Sequence, residues 1–191
     1  MEDILRGFIQ EFKILTTDEV NTIVESSNIQ SFDKGTLLLK EGEIAKECYF
    51  VLKGCIREYY IVDGIEKTTA FYTEMQPVNS FTSFTDASPS KHYLVCAEDS
   101  IVTVGTQRLE EEMCKRVPRL ESIMRQEVER HSGELQDRLA RFMTSSPEQR
   151  FIQLIEENPK LVTRVPQHQI ASYLGITPES FSRIKKRIYK R

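Results

Sequence analysis

The chain has 191 residues, 39% of them hydrophobic and 29% charged, and nets −3 at neutral pH, proportions ordinary for a soluble globular protein of one or two domains. No apolar run approaches the length of a membrane span, and the acidic opening Met1-Glu2-Asp3 does not read as the start of a signal peptide, so a cytoplasmic location is expected. The charge is unevenly spread: residues 147–191 hold nine Lys or Arg against four Glu, a balance of +5, which leaves −8 for residues 1–146.

Helical periodicity opens the chain. Ile4, Leu5, Phe8, Ile9 and Phe12 recur at helical spacing, and a second short helix follows Thr17 with Val20, Ile23 and Val24 as its apolar stripe. Over residues 30–105 the period changes. The runs 36–39, 48–52, 56–62, 65–72, 93–97 and 101–104 are β-prone and separated by turn residues, the pattern of a sandwich or roll. Asp63-Gly64 between two of these runs predicts a tight hairpin, whose central positions both favour positive φ; Gly35, Gly42 and Gly54 mark other corners. Cys48, Cys55, Cys96 and Cys114 are scattered, with no C-x-x-C pair and no histidine at ligand spacing. They read as buried small hydrophobes, and no metal site is expected.

The helical period returns after Thr106, first in a short acidic segment, 109–116, and then in a long helix that Pro118 starts and that runs to about Thr144. Leu120, Met124, Val128, His131, Leu135, Leu139 and Phe142 recur every three or four residues, so one seam runs along roughly seven turns. Either the seam packs on the chain's own β-domain or it pairs with a second copy. The helix outreaches a roll of this size, so a two-fold homodimer is expected, which would present two half-sites. His131 reads as a packed imidazole with no ligand role.

From Gln167 to Ile184 the residues Ile170, Ala171, Leu174, Gly175, Ile176, Phe181 and Ile184 stand at the spacings that two short helices crossing at a tight turn require. The second helix, 178–189, opens with Thr177 as a hydroxyl N-cap and Pro178 in the first turn. At about 100° per residue Phe181, Ile184 and Ile188 share one stripe, and Glu179, Ser182, Arg183 and Lys186 cluster opposite. Ala171 falls where a larger side chain would push the helices apart, and Gly175 where a left-handed helix end is easiest for glycine. A solvated helical hairpin with a basic tail would share the amphipathicity, but not the small residue, the turn glycine and the apolar positions together. The polar stripe offers a carboxylate, a hydroxyl, a guanidinium and an ammonium, a mixture suited to base edges and phosphates. From Glu179 onward six basic residues face one acid, as on a surface that displaces counterions from a phosphate backbone; the acidic remainder would repel DNA and confine contact to one face.

The order of helical start, glycine-punctuated β-roll, long helix and helix-turn-helix resembles the cyclic-AMP receptor protein and fumarate-nitrate regulator family of bacterial transcription factors across the whole chain. Gly35, Glu41-Gly42-Glu43, Tyr49-Phe50-Val51-Leu52-Lys53-Gly54 and residues 169–186 carry the likeness. It implies that Glu179 and, four residues on, Arg183 read bases, that Ser180 and Lys186 touch phosphates or base edges, and that double-stranded DNA and RNA polymerase are partners. Gln167, Thr177 and Ser182 complete the candidate DNA-binding set. Members that bind cyclic nucleotides carry a Gly-Glu pair and, about ten residues later, an arginine followed by a small hydroxyl residue. Counting back from Val95-Cys96-Ala97, those places hold Ser80-Phe81 and Lys91-His92. Phenylalanine cannot accept a ribose hydroxyl, and lysine replaces a forked donor with a point charge. Cyclic AMP is therefore not expected as a cofactor. Ser80, Phe81, Lys91 and His92 stand as a candidate pocket for another effector, beside the reading of a filled roll that takes none. Members usually follow the recognition helix with a β-hairpin wing; the sequence ends at Arg191, so no wing is expected, and Lys190 and Arg191 are its expected substitutes on phosphate.

The expected architecture is α+β: an N-terminal cyclic-nucleotide-binding-like β-roll with flanking helices over 1–117, a dimerisation helix over 118–144 and a C-terminal helix-turn-helix domain over 145–191. The expected function is that of a homodimeric, sequence-specific transcriptional regulator reading the major groove with 178–189. The alternative is a sensor or adaptor whose roll binds a metabolite or protein and whose helical end no longer reads DNA. No nucleophile–base pair, phosphate loop or metal cluster appears in the sequence, so no enzyme is expected.

Overall fold

A computed structural model describes residues 1–189. Helices α1 (Glu2–Glu11) and α2 (Thr17–Ser26) open the chain, the second fixed by a capping box in which Thr16 accepts from the Glu19 amide and Glu19 from the Thr16 amide. The β-region comprises β1 (Ile29–Phe32), β2 (Leu37–Leu39), β3 (Cys48–Lys53), β4 (Ile56–Val62), β5 (Ile65–Tyr72) and β6 (Pro77–Val78), then α3 (Phe81–Asp86), β7 (Tyr93–Cys96) and β8 (Ser100–Gly105). The strands form two antiparallel sheets, β1-β8-β3-β6 and β2-β7-β4-β5. Between them lies an apolar core that includes Val51, Ile56, Val78, Leu94 and Val102. The expected β-prone runs coincide with β2, β3, β4, β5, β7 and β8. Three elements were not anticipated: β1, which alternates only weakly, the two-residue β6, which begins on a proline, and the six-residue α3. Asp63 and Gly64 both take positive φ, 52° and 75°, at the β4–β5 hairpin, as the two-residue turn requires.

Helices α4 (Gln107–Arg116) and α5 (Arg119–Thr144) follow, with Pro118 at the N-cap of the latter. The start of this region closes a second core, in which Val117 joins Leu5, Ile9, Val20, Ile23, Val24 and Leu52 and Phe8 packs on Phe50 with ring centroids 4.5 Å apart. Farther along, α5 leaves the body: within the single chain only its Ile123 is buried, and Val128, Leu135 and Leu139 are exposed. The C-terminal helices are α6 (Pro147–Glu157), α7 (Leu161–Arg164), α8 (Gln167–Tyr173) and α9 (Pro178–Ile188). Among the described residues no helix is long and apolar enough to cross a membrane.

Gly54, between β3 and β4, lies close against the start of β8. Its φ is +107°, and a Cβ there would lie 2.7 Å from Ser100 Cα and 2.8 Å from the Asp99 carbonyl oxygen, both backbone atoms that cannot step aside. Gly54→Ala is expected to cost about 1–3 kcal/mol through strain and overpacking, measured as a lower urea midpoint.

Candidate nucleic-acid interface

The C-terminal helices are built around Phe151, Leu154, Leu161, Val162, Val165, Ile170, Ala171, Leu174, Phe181 and Ile184, all buried. Ala171 is fully enclosed at the crossing of α8 and α9, where a longer side chain would separate them. Helix α8 ends in a Schellman turn: the Ile176 amide donates to the Ala171 carbonyl (3.0 Å), the Gly175 amide to that of Ser172 (3.0 Å), and Gly175 has φ +70°. Thr177 then caps α9, its hydroxyl accepting from the Ser180 amide at 3.3 Å, with Pro178 in the first turn. Four residues, Leu174 to Thr177, therefore separate the two helices, and α9 begins at a defined place.

Burial of Phe181 and Ile184 turns the other stripe of α9 to solvent. Glu179, Ser182, Arg183 and Lys186 are exposed, as are Gln167 at the start of α8 and Thr177 at the cap; Ser180 is half-buried. The Ser180 hydroxyl accepts from Thr177 (3.3 Å) and from Arg183 Nη2 (3.2 Å), which orders the first turn. Hydrogen bonding at its own amide, the Thr177 hydroxyl and the Arg183 charge hold the Glu179 carboxyl below its ordinary value, so it is an ionised acceptor. Arg187 is tied to Glu148 at 2.7 Å, leaving Arg183 and Lys186 as the more available cations of the ridge. Lys190 and Arg191 lie outside the described residues.

The effector candidates differ in exposure. Ser80 is buried with its Oγ 3.4 Å from that of Ser90, whereas Phe81 begins α3 and is 59% exposed. Lys91 is exposed as well. His92 turns inward, its Nε2 3.8 Å from Glu58 and its ring 5.4 Å from that of Tyr60. The Glu58 carboxylate accepts from the hydroxyls of Thr69 (2.6 Å) and Tyr72 (3.0 Å). Phe81 and Lys91 are thus exposed, whereas Ser80 and the His92 ring lie inward.

Burial also raises the cysteine thiols, Cys55 to about 12 and Cys96 to about 11, with Cys48 pushed up by burial and Glu110 and Cys114 by burial and Glu121. Thiols so disfavoured as thiolates behave as small hydrophobes.

Three polar residues that sequence periodicity does not single out hold the C-terminal helices in place. Arg150 donates to the Leu174 carbonyl from Nε (3.2 Å) and Nη2 (2.8 Å), and from Nη1 to those of Phe142 (3.1 Å) and Ser145 (2.6 Å). Arg164 pairs with Glu74 and Glu98, and Ser172 bonds the edge of β5. The available signal was an arginine between the apolar Val162 and Val165, a position that demands partners brought from elsewhere.

Residues 29–116 match the family model of the cyclic nucleotide-binding domain. Curated protein sequences yield no match. Among solved structures, the c-di-GMP responsive global regulator CLP of Xanthomonas campestris aligns with a TM-score of 0.70 at 12% identity over 92% of each chain. FixK2 from Bradyrhizobium japonicum gives 0.70 at 19% identity over 86% of this chain and 85% of its own. A CooA mutant from Carboxydothermus hydrogenoformans gives 0.64 at 15% identity over 88% and 79%. At such identities the likeness establishes the fold.

Burial pushes the Glu74 carboxyl up, but the Arg164 guanidinium and the Gly54 amide outweigh it, and its pKa lies below the ordinary 4.5. Because the folded value is the lower one, the stabilisation is complete above pH 4.5 and is lost as pH falls through the folded value. Acidification is therefore expected to loosen the join between the C-terminal helices and the roll. The radius of gyration from small-angle scattering should rise below pH 4.5, and less steeply in Glu74→Gln, which lacks the titrating group.

Proposed function

We propose that the protein is a homodimeric, sequence-specific DNA-binding regulator of transcription that lays α9 of each subunit in the major groove. The observation that carries this reading is the division of α9 into a buried apolar face and an exposed ridge of Glu179, Ser182, Arg183 and Lys186. Arg183 would donate to guanine O6 and N7, Glu179 would accept from cytosine N4, Lys186 would neutralise phosphate, and Gln167, Thr177, Ser180 and Ser182 would complete the contact. The exposed Val128, Leu135 and Leu139 on α5 support pairing with a second copy, since a lone helix would not leave such a seam in water. In this reading the protein works in the cytoplasm beside RNA polymerase and is not an enzyme.

The roll's residues do not fit a cyclic nucleotide. Glu58, which accepts from two hydroxyls, stands beside His92 at the place of the small hydroxyl residue, and a phosphate brought there would meet a carboxyl group whose oxygens are already engaged.

One observation favours a second reading, a sensor or adaptor that no longer reads DNA: α8 is packed on β5 of its own roll, with Phe71 and Tyr173 edge to face at 5.5 Å. Selection from random duplexes separates the two. Enriched two-fold sites support the regulator, and none at low salt supports the adaptor. In the regulator, Arg183→Ala is expected to cost about 1–3 kcal/mol on the selected site and to relax base preference, while Lys186→Ala weakens all sequences alike and lowers the salt slope by about one. Equal losses for Arg183→Ala on selected and random DNA would defeat the assignment. Leu135→Glu with Leu139→Glu is expected to give monomers in analytical ultracentrifugation, with the fold retained by circular dichroism.

A further inference from the structure

The helix-turn-helix is fastened to the β-roll of its own chain as well as to the end of α5. Arg164, at the C-terminus of α7, spends its whole guanidinium on the roll. Nη1 and Nη2 grip the two carboxylate oxygens of Glu74 at 2.8 and 2.7 Å, Nε reaches Glu98 at 3.0 Å, and Nη2 also donates to the Gly54 carbonyl at 2.8 Å. This is the forked pairing that a lysine cannot reproduce. Ser172, on α8, closes the second point. Strand β5 is the edge of its sheet, so its outward amides and carbonyls lack a neighbouring strand. One hydroxyl serves both: Ser172 accepts from the Thr68 amide at 2.9 Å and donates to the Glu66 carbonyl at 3.2 Å. Around these points Cys55 and Ala97 of the roll belong to the same apolar cluster as Phe151 and Phe181, and Asn158 donates to the Thr73 hydroxyl at 3.2 Å.

We propose that Arg164 and Ser172 are positioning residues that mount the reading head on the roll in one pose, so that the folded protomer itself sets the separation of the two half-sites. The proposal rests on the DNA reading above. Neither residue lies on the exposed ridge of α9, so neither touches bases; their effect is on where α9 stands relative to its dimer mate. A protein with both mounts accepts one spacing. A protein without them reads each half-site as before but tolerates several spacings, because the non-directional apolar cluster and the single Asn158–Thr73 bond then let α9 shift about Arg150 and the end of α5.

The test uses the full chain and duplexes carrying two selected half-sites, with the spacer lengthened or shortened one base pair at a time. The parent should show a single optimum, with affinity falling about tenfold or more one step away. Arg164→Met and Ser172→Ala should flatten that profile while leaving the ratio of selected to mutated half-site unchanged. Ser172→Thr, which keeps a hydroxyl, should restore the optimum, and Arg164→Lys should not. A sharp optimum retained in both Arg164→Met and Ser172→Ala overturns the proposal, as does a loss of base preference in step with spacing. Hydrogen exchange at the Thr68 amide, measured without DNA, reports the mount separately: Ser172→Ala should accelerate it, and equal exchange in both proteins overturns the mount. If the parent binds no duplex while Ser172→Ala still accelerates exchange, the DNA reading fails and the positioning role with it, and the mount remains as a join between domains.

Discussion

The edge-on contact between Phe181 and Phe151, with both rings fully buried and their centroids 4.9 Å apart, is the interaction on which the C-terminal half depends. A helix has one azimuth for each residue, about 100° apart. Once Phe181 and, nearly one turn on, Ile184 are turned inward, positions 179, 182, 183 and 186 have only solvent to face. Burying such a ring contributes about 1.5–3 kcal/mol, and its edge-to-face geometry adds about 0.5–1.5 kcal/mol. A cap such as Thr177 contributes about 1 kcal/mol, yet it decides where the helix starts and so which side chains share the first turn. The charged ridge thus follows from an apolar contact on the opposite side of α9.

That contact also belongs to something larger than the helix-turn-helix. Charge divides the chain near residue 147, but packing does not: Cys55 and Ala97 from the roll and Phe151, Leu161 and Phe181 from the C-terminal helices form one buried cluster. Glu74 and Glu98, part of the roll's negative balance, are the partners of Arg164. The acidic character of the roll therefore has a structural consequence, holding one basic residue of the C-terminal helices against it. Arg150 works at the other end, where its guanidinium stacks over Phe142 at 4.4 Å while serving carbonyls of both α5 and the turn.

Local signals in the sequence carried most of this fold. The β-prone runs 56–62 and 65–72 and the Asp63-Gly64 pair between them located β4, β5 and their turn, because a two-residue hairpin is specified by its own residues. Thr177-Pro178 and Gly175 located the start of α9 for the same reason. Elements without such signals, β1, β6 and α3, escaped because their stability comes from neighbours: Ile29–Phe32 is held by β8, and Pro77–Val78 by β3. The exposed set of Gln167, Thr177, Glu179, Ser182, Arg183 and Lys186 could be read from helical geometry. Phe81 and Lys91 could not be placed by counting along the chain, since their direction depends on how α3 and the segment before β7 leave the sheets. Arg164 and Ser172 were equally hidden, because their partners lie 90 and 104 residues away, beyond the reach of any periodicity.

The roll shows how a fold persists while the groups inside it are engaged with one another. Ser83 accepts from the Ala45 amide at 2.9 Å and donates to the Ser88 carbonyl at 2.5 Å; Ser90 donates to the His92 carbonyl at 2.9 Å; Glu58 is taken by Thr69 and Tyr72. Any molecule entering here would exchange one set of hydrogen bonds for another, a trade in which each typical bond nets only about 1 kcal/mol. A cyclic phosphate would add the cost of standing near Glu58. The apolar frame of Val51, Ile56, Val78, Leu94 and Val102 needs none of these groups to hold the two sheets together. The sheets can therefore keep their shape whatever the interior comes to bind, which is why the match of residues 29–116 describes an architecture and the polar residues within it must be judged on their own chemistry.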